Sequence, residues 1–243
     1  MGEAFFWGLV AGSSLVLGGL VALVVPIHRR VLGLIMGFGS GVLISAVAYD
    51  LVGEAADTSA GSGGVALGLF TGAAVFFFGD ALVDRLGGAD RKSPEGEQGG
   101  GSPFAIVLGI VLDGIPESAV IGLTLLEGHG VGVAVLVAVF ISNLPEAIAA
   151  TTGLSITGWS GRKITGLWVA VALVSALAAL AGYGLFGDAS SSTLAFVLSF
   201  AGGAILTMLA DAMMPDAFLY GGKLVGIVTT FGFAVAFAIS ALE

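Results

Sequence analysis

Eight apolar runs follow one another along the chain, at roughly 4–26, 31–52, 63–84, 103–126, 130–153, 164–187, 191–214 and 222–242. Each is long enough to cross the roughly 30 Å hydrocarbon core of a bilayer as a helix. The period-two alternation that marks a membrane β-barrel is absent. The pattern therefore predicts an all-α membrane protein of eight transmembrane helices, residues 1–243 forming a single transmembrane domain. The longest polar stretch, "GGADRKSPEGEQGGGS" at 87–102, is Gly-rich, mixed in charge and without apolar period. It reads as a flexible loop over 86–102 between spans 3 and 4.

The polar positions orient the spans. Only Glu3 precedes the first run, and Arg29 and Arg30 follow it, which fits an N-terminus-out helix better than a signal peptide. Arg85, Arg91 and Lys92 fall between spans 3 and 4, Arg162 and Lys163 between spans 5 and 6, and Lys223 between spans 7 and 8. With Arg29 and Arg30 these are all 8 Lys and Arg residues of the chain, and in an eight-span arrangement all lie on one side. The positive-inside rule then puts these loops in the cytoplasm and both termini outside. One span more or fewer would scatter the charges over both faces.

Composition agrees. Hydrophobic residues make up 57% and charged residues 10% of the chain, against about 25% charged in soluble domains. The 41 glycines, read in lipid, point to closely packed helices. Gly33, Gly37 and Gly41 repeat a G-x-x-x-G spacing, which reads as helix packing, with a dimer face or sliding surface as alternatives. The absence of cysteine excludes disulfides and thiolate metal sites. A formal charge of −9 with no basic stripe argues against nucleic acid as a partner.

Candidate chemistry sits inside two spans. Span 4 contains "LDGIPESAVIGL" (112–123) and span 5 "ISNLPEAIAATTGL" (141–154). Asp113 and Glu117 share a helix face one turn apart. An acid at mid-membrane costs at least about 2.5–3.5 kcal/mol, so a proton or a cation must compensate it. Pro116 lacks an N–H and frees the carbonyl of Leu112; Pro145 does the same for Ile141. A shift of 29 residues lays Pro145-Glu146 on Pro116-Glu117, Ser142 on Asp113 and Asn143 on Gly114. Facing one another, Asp113, Glu117, Ser142, Asn143 and Glu146 would form an oxygen cage suited to a divalent cation. Asp50 and Asp211 are candidate pathway residues. Spans 2 and 7, "FGSGVLISAVAYDLVGEA" and "FAGGAILTMLADAMMPDA", are loosely alike, as in transporters built from internal repeats. His28 and His129 fall in loops and read as solvated, though His129 with Glu127 could gather cations.

These residues resemble the ZIP family of divalent-metal transporters. The likeness covers nearly the whole chain, and the paired motifs of spans 4 and 5 are its specific part. The family's span-4 motif His-Asn-x-Pro-Glu-Gly is "DGIPES" here, with Asp113 at the first histidine, Gly114 at the asparagine and Glu117 at the glutamate. In "SNLPEA", Ser142 stands at the second histidine, and Asn143 and Glu146 match oxygen ligands. The resemblance implies a metal site between spans 4 and 5, a homodimer, and elevator-like movement of a bundle of spans 1, 4, 5 and 6 against the rest. Span 6 has no acid for a second metal, so one metal is expected. Replacing both histidines by oxygen donors should weaken preference for Zn²⁺ and favour Mn²⁺, Fe²⁺ or Mg²⁺.

The expected function is therefore transport of a divalent metal ion (Zn, Mn, Fe or similar) across the cell inner (cytoplasmic) membrane, inward on the strength of the resemblance. The metal is substrate and no prosthetic group is expected. The expected partners are metal ions, the lipid bilayer and a second copy of the chain. The alternatives are a proton-coupled carrier of another solute and a metal-binding relative that does not transport. An enzyme is disfavoured, because no His-Glu-x-x-His or Gly-x-Ser-x-Gly occurs and no histidine lies within a span.

Overall fold

A computed structural model describes residues 1–59, 62–89, 91, 93–95, 102–128 and 130–242. His129, the Glu127 side chain and, within the 86–102 loop, residues 90, 92 and 96–101 lie outside the described set. The described residues form helices and no strands. The helices are α1 (Gly2–Val24), α2 (Arg29–Thr58), α3 (Gly63–Gly88), α4 (Pro103–Thr124), α5 (Val133–Ile156), α6 (Gly161–Phe186), α7 (Ser191–Met208, continued by Leu209–Met213 and Met214–Gly221) and α8 (Val225–Ser240).

Among the described residues, seven helical stretches are long and apolar enough to cross a membrane; the last runs from Ser191 to Ser240 and holds both α7 and α8. Fifty straight helical residues would extend about 75 Å, more than twice a bilayer core. The chain instead reverses at Gly222, whose φ of 68° and ψ of −157° end the α-helix before it. Close contacts fix the directions. Gly33 and Gly41 of α2 approach Gly221 and Thr229 in ascending order, so α8 runs parallel to α2. Gly33 also approaches Ala217, while Val47 and Leu51 lie against Gly202, so α7 runs antiparallel to α2.

Helices α2 and α7 share one design. Each opens with 18 residues of regular helix, Arg29–Ala46 and Ser191–Met208. Each then widens into a π turn, Val47–Gly53 and Leu209–Met213, and ends in a short α segment. Each π turn carries an acid, Asp50 or Asp211. Such turns insert a residue into the hydrogen-bond ladder and recur at functional sites.

Packing divides the helices into two sets. Helices α1, α4, α5 and α6 pack on one another, α1 against α5 and α6, and α6 against α4. Helices α2, α3, α7 and α8 form the second set, α3 against α7 and α2 against α8. The first set has a core of its own, with Leu15, Ile110, Leu154 and Trp168 from its four helices. Trp168 is buried there and donates from Nε1 to Thr151 Oγ1 at 2.7 Å, tying α6 to α5. The main bridge between the sets is α2 against α5.

The tightest backbone approaches lie within each set. A Cβ at Gly122 of α4 would lie 1.9 Å from the carbonyl oxygen of Ala179 in α6, and one at Gly41 of α2 1.9 Å from that of Thr229 in α8. Without side chains at these points, the helices gain dispersion contacts that lipid cannot replace. The G-x-x-x-G spacing of α2 thus serves packing inside the chain: Gly33, Gly37 and Gly41 all face Gly221, Val225 and Thr229.

Gly41→Leu should force α2 and α8 apart and destabilise the protein by at least about 1–3 kcal/mol, the usual cost of overpacking. Gly63→Leu, whose Cβ meets nothing within 4 Å, should leave stability nearly unchanged. Thermal unfolding of both variants in detergent checks the contrast.

Candidate metal site and its counter-charge

Helices α4 and α5 run unbroken through Pro116 and Pro145. The motif residues of both are inside the protein: Asp113, Glu117, Ser142, Asn143 and Glu146 are all buried. Direct packing between α4 and α5 is thin, because α1 and α6 fill the space beside them. The five side chains therefore point into different surroundings.

Asn143 and Glu146 line a cavity of about 10 Å³ together with Gly114, Leu15, Ile110, Ala150 and Trp168. That is the least space that holds one water. Gly114 forms its wall on α4 and leaves the space open. Ser142 sits at the edge of α5 that meets α2, where its hydroxyl donates to the carbonyl of Val139 at 3.1 Å. A Cβ at Gly39 of α2 would lie 3.2 Å from Ser142 Cα and 3.7 Å from the carbonyl oxygen of Ile141. The carbonyl that Pro145 frees thus faces α2, across the seam between the two helix sets.

Asp113 binds Arg91. The guanidinium donates from Nε to Oδ2 and from Nη2 to Oδ1, both at 3.0 Å, a two-pronged match of fork to carboxylate. Nη2 also donates to Asp80 Oδ1, and Nη1 donates to the carbonyl of Gly88 at 3.3 Å and lies 3.6 Å from Asp84. Arg91 is only 4% exposed, although it belongs to the polar 86–102 stretch. Burial alone would disfavour its charge, but Asp113 and then Asp80 outweigh that effect and hold its pKa above the usual arginine value. It stays cationic at every working pH.

Arg91 also lines a polar cleft of about 210 Å³ with Asp80, Asp84, Ser93, Asp211 and Asp216. Asp211 thus joins an acidic vestibule on the side of the protein where Glu95 pairs with Arg29. Asp50 lies at the other end of α2, where it accepts a hydrogen bond from Ser240 at 2.6 Å. The two pathway candidates stand at opposite ends of the molecule.

Among the described residues, no three His, Cys, Asp or Glu side chains converge closely enough to hold a metal ion. The physical reason on α4 is the salt bridge, which turns Asp113 toward Arg91. Sequence reasoning overlooked Arg91 as a partner. A buried acid requires a counter-charge, and Arg85, Arg91 and Lys92 are the nearest bases in the chain, but nothing in the sequence chooses among them.

No family model matches the chain. Two curated proteins do. One, from Arabidopsis thaliana, is named as a proposed zinc transporter and is 26% identical over 214 residues, covering 86% of this chain and 34% of its own length. The other is the zinc transporter ZIP11 of Homo sapiens, 32% identical over 98 residues, covering 37% of this chain and 28% of its own length. The chain is similar to ZIP-type zinc transporters. It spans about a third of the length of these relatives. The relatives are named as zinc transporters, and the seven apolar helical stretches of membrane-spanning length among the described residues make this chain a multi-pass membrane protein. Against the ZIP motif, Asp113 at the first histidine position is the residue that Arg91 holds, and Gly114 at the asparagine position is the one that opens the small cavity.

Removing Asp113 should strand part of the Arg91 charge in a buried place. Asp113→Ala is expected to cost about 3 kcal/mol, the scale for breaking a buried pair from one side. Asp113→Ala/Arg91→Ala should cost less than the sum of the single changes, and a double-mutant cycle of thermal stabilities measures the difference.

Proposed function

We propose that the chain carries a divalent metal ion across the cytoplasmic membrane, inward, through a site formed by Asp113, Glu117, Ser142, Asn143 and Glu146. The observation that carries this reading is the burial of five oxygen-bearing side chains beside two intrahelical prolines, in a multi-pass chain similar to zinc transporters. In this reading α7 and α8 each cross the bilayer, giving eight spans with both termini outside. The reversal at Gly222 supports that count. So does the Arg29–Glu95 pair, which joins two of the loops expected inside.

The ion would shed most of its water, bind between α4 and α5, and leave through the acidic vestibule of Asp80, Asp84, Asp211 and Asp216. The division into two packed sets suits an elevator-like step in which α1, α4, α5 and α6 move as one body against the others. An apolar cavity of about 350 Å³ lies on that boundary, lined by Pro116, Leu123, Phe186, Phe196 and Phe200. Arg91, which links Asp80 of α3 to Asp113 of α4, also crosses that boundary and would release one of them in such a step. We include a homodimer in the proposal; α3 is the span least covered by the rest of the chain. The relatives are named for zinc, while the oxygen donors here suit harder ions such as Mn²⁺, Fe²⁺ or Mg²⁺.

Uptake of Zn²⁺, Mn²⁺, Fe²⁺, Mg²⁺ and Cd²⁺ into proteoliposomes tests the function. The wild type should take up at least one of these, and Asp113→Ala/Glu117→Ala should abolish that uptake while remaining folded. Protons compete with metal for carboxylates, so the rate should rise from mildly acidic to neutral pH. No uptake of any ion by folded protein would overturn the proposal, and a flat pH profile would remove the carboxylates from control of the rate.

A further inference from the structure

One face of α4 leads from the loop to the motif. Ala105, Gly109, Asp113 and Glu117 follow at intervals of four and stack along one side of the helix. The segment that leaves α3 lies on this stripe. A Cβ at Gly88 would come 2.8 Å from the carbonyl oxygen of Ala105. A Cβ at Gly109 would come 2.3 Å from Cδ and 2.8 Å from Nε of Arg91. The Arg91 side chain therefore lies flat across Gly109 and ends on Asp113, in a groove that exists because residue 109 has no side chain.

Arg91 bonds Asp113 and lines the acidic cleft at the same time. It stands between the two. We propose that Arg91 is a tethered cation that occupies Asp113 in place of the transported ion, so that metal binding at Asp113 must displace it toward the cleft. The proposal rests on the reading of Asp113 as a metal ligand. A bare divalent ion at Asp113 would repel the guanidinium and take its acceptor oxygens. The displaced side chain would not be stranded, because Asp80 already accepts a hydrogen bond from it and the half-exposed Asp84 lies 3.6 Å away. Exchange is therefore feasible where loss of a sole partner would not be. When metal leaves, Arg91 returns and neutralises Asp113, which keeps a buried carboxylate compensated in both states. Arg91 is on this view a specificity-determining residue: only an ion that binds the motif more strongly than a bidentate arginine can occupy it.

Zn²⁺ and Mn²⁺ binding to the full chain in detergent, by titration calorimetry, tests this. Arg91→Gln removes the competitor and should tighten binding about tenfold or more. Gly109→Ala keeps the charge but crowds the groove, and should tighten binding in the same direction by a smaller factor. In an Asp113→Asn background Arg91→Gln should change nothing. In the wild type, saturating metal should speed amide exchange around Arg91, read by mass spectrometry. Unchanged or weaker binding in both Arg91→Gln and Gly109→Ala, with exchange around Arg91 unaltered by bound metal, would overturn the inference and leave the transport reading intact. Absence of both metal binding and uptake in every variant would overturn both.

Discussion

A carboxylate in a bilayer must be compensated, and the structure around α4 is organised by that requirement. Asp113 lies at the middle of an apolar helix and is buried. Arg91 reaches it from outside the spans, and Asp80 and Asp84 share the same guanidinium. Low dielectric makes this pair strong and makes either partner costly alone. By the same arithmetic, any group that took Arg91's place at Asp113 would have to bring a positive charge.

Glycine makes the architecture possible. In lipid, helices gain little from hiding apolar surface and hold together through close packing. Gly122 on Ala179 and Gly41 on Thr229 bring backbones into contact, and these tightest contacts fall inside each helix set. Each set is thus cohesive by itself, with a separate core around Trp168 in the set that carries both Pro-Glu motifs. The sets are joined by the contact of α2 with α5, by a shared apolar core that includes Val120 and Val139 with Leu43 and Met208, and by Arg91, which links Asp80 of α3 to Asp113 of α4.

Much of this was legible along the chain. Apolar run length marked the long helices, because a helix in lipid must be about twenty residues long whatever its neighbours are. The doubled Pro-Glu marked two stretches whose acids, Glu117 and Glu146, the structure buries. The loose likeness of spans 2 and 7 anticipated their shared design, but not its form. The π turns at Asp50 and Asp211 depend on how neighbouring helices take up a displaced carbonyl, which no local pattern encodes.

Hydropathy and residue chemistry act locally, so the all-helical membrane class was legible along the chain, as were five oxygen-bearing side chains in two of its helices. The directions of those side chains were not. Packing settles them: α1 and α6 thin the contact between α4 and α5, so that Asn143 and Glu146 share a cavity with Gly114 while Ser142 meets α2. It alone selected Arg91 from three nearby bases as the partner of Asp113. That choice rests on the absence of a side chain at Gly109, eighteen residues along the chain and on another element, and pairings across such distances follow from packing, not from local sequence.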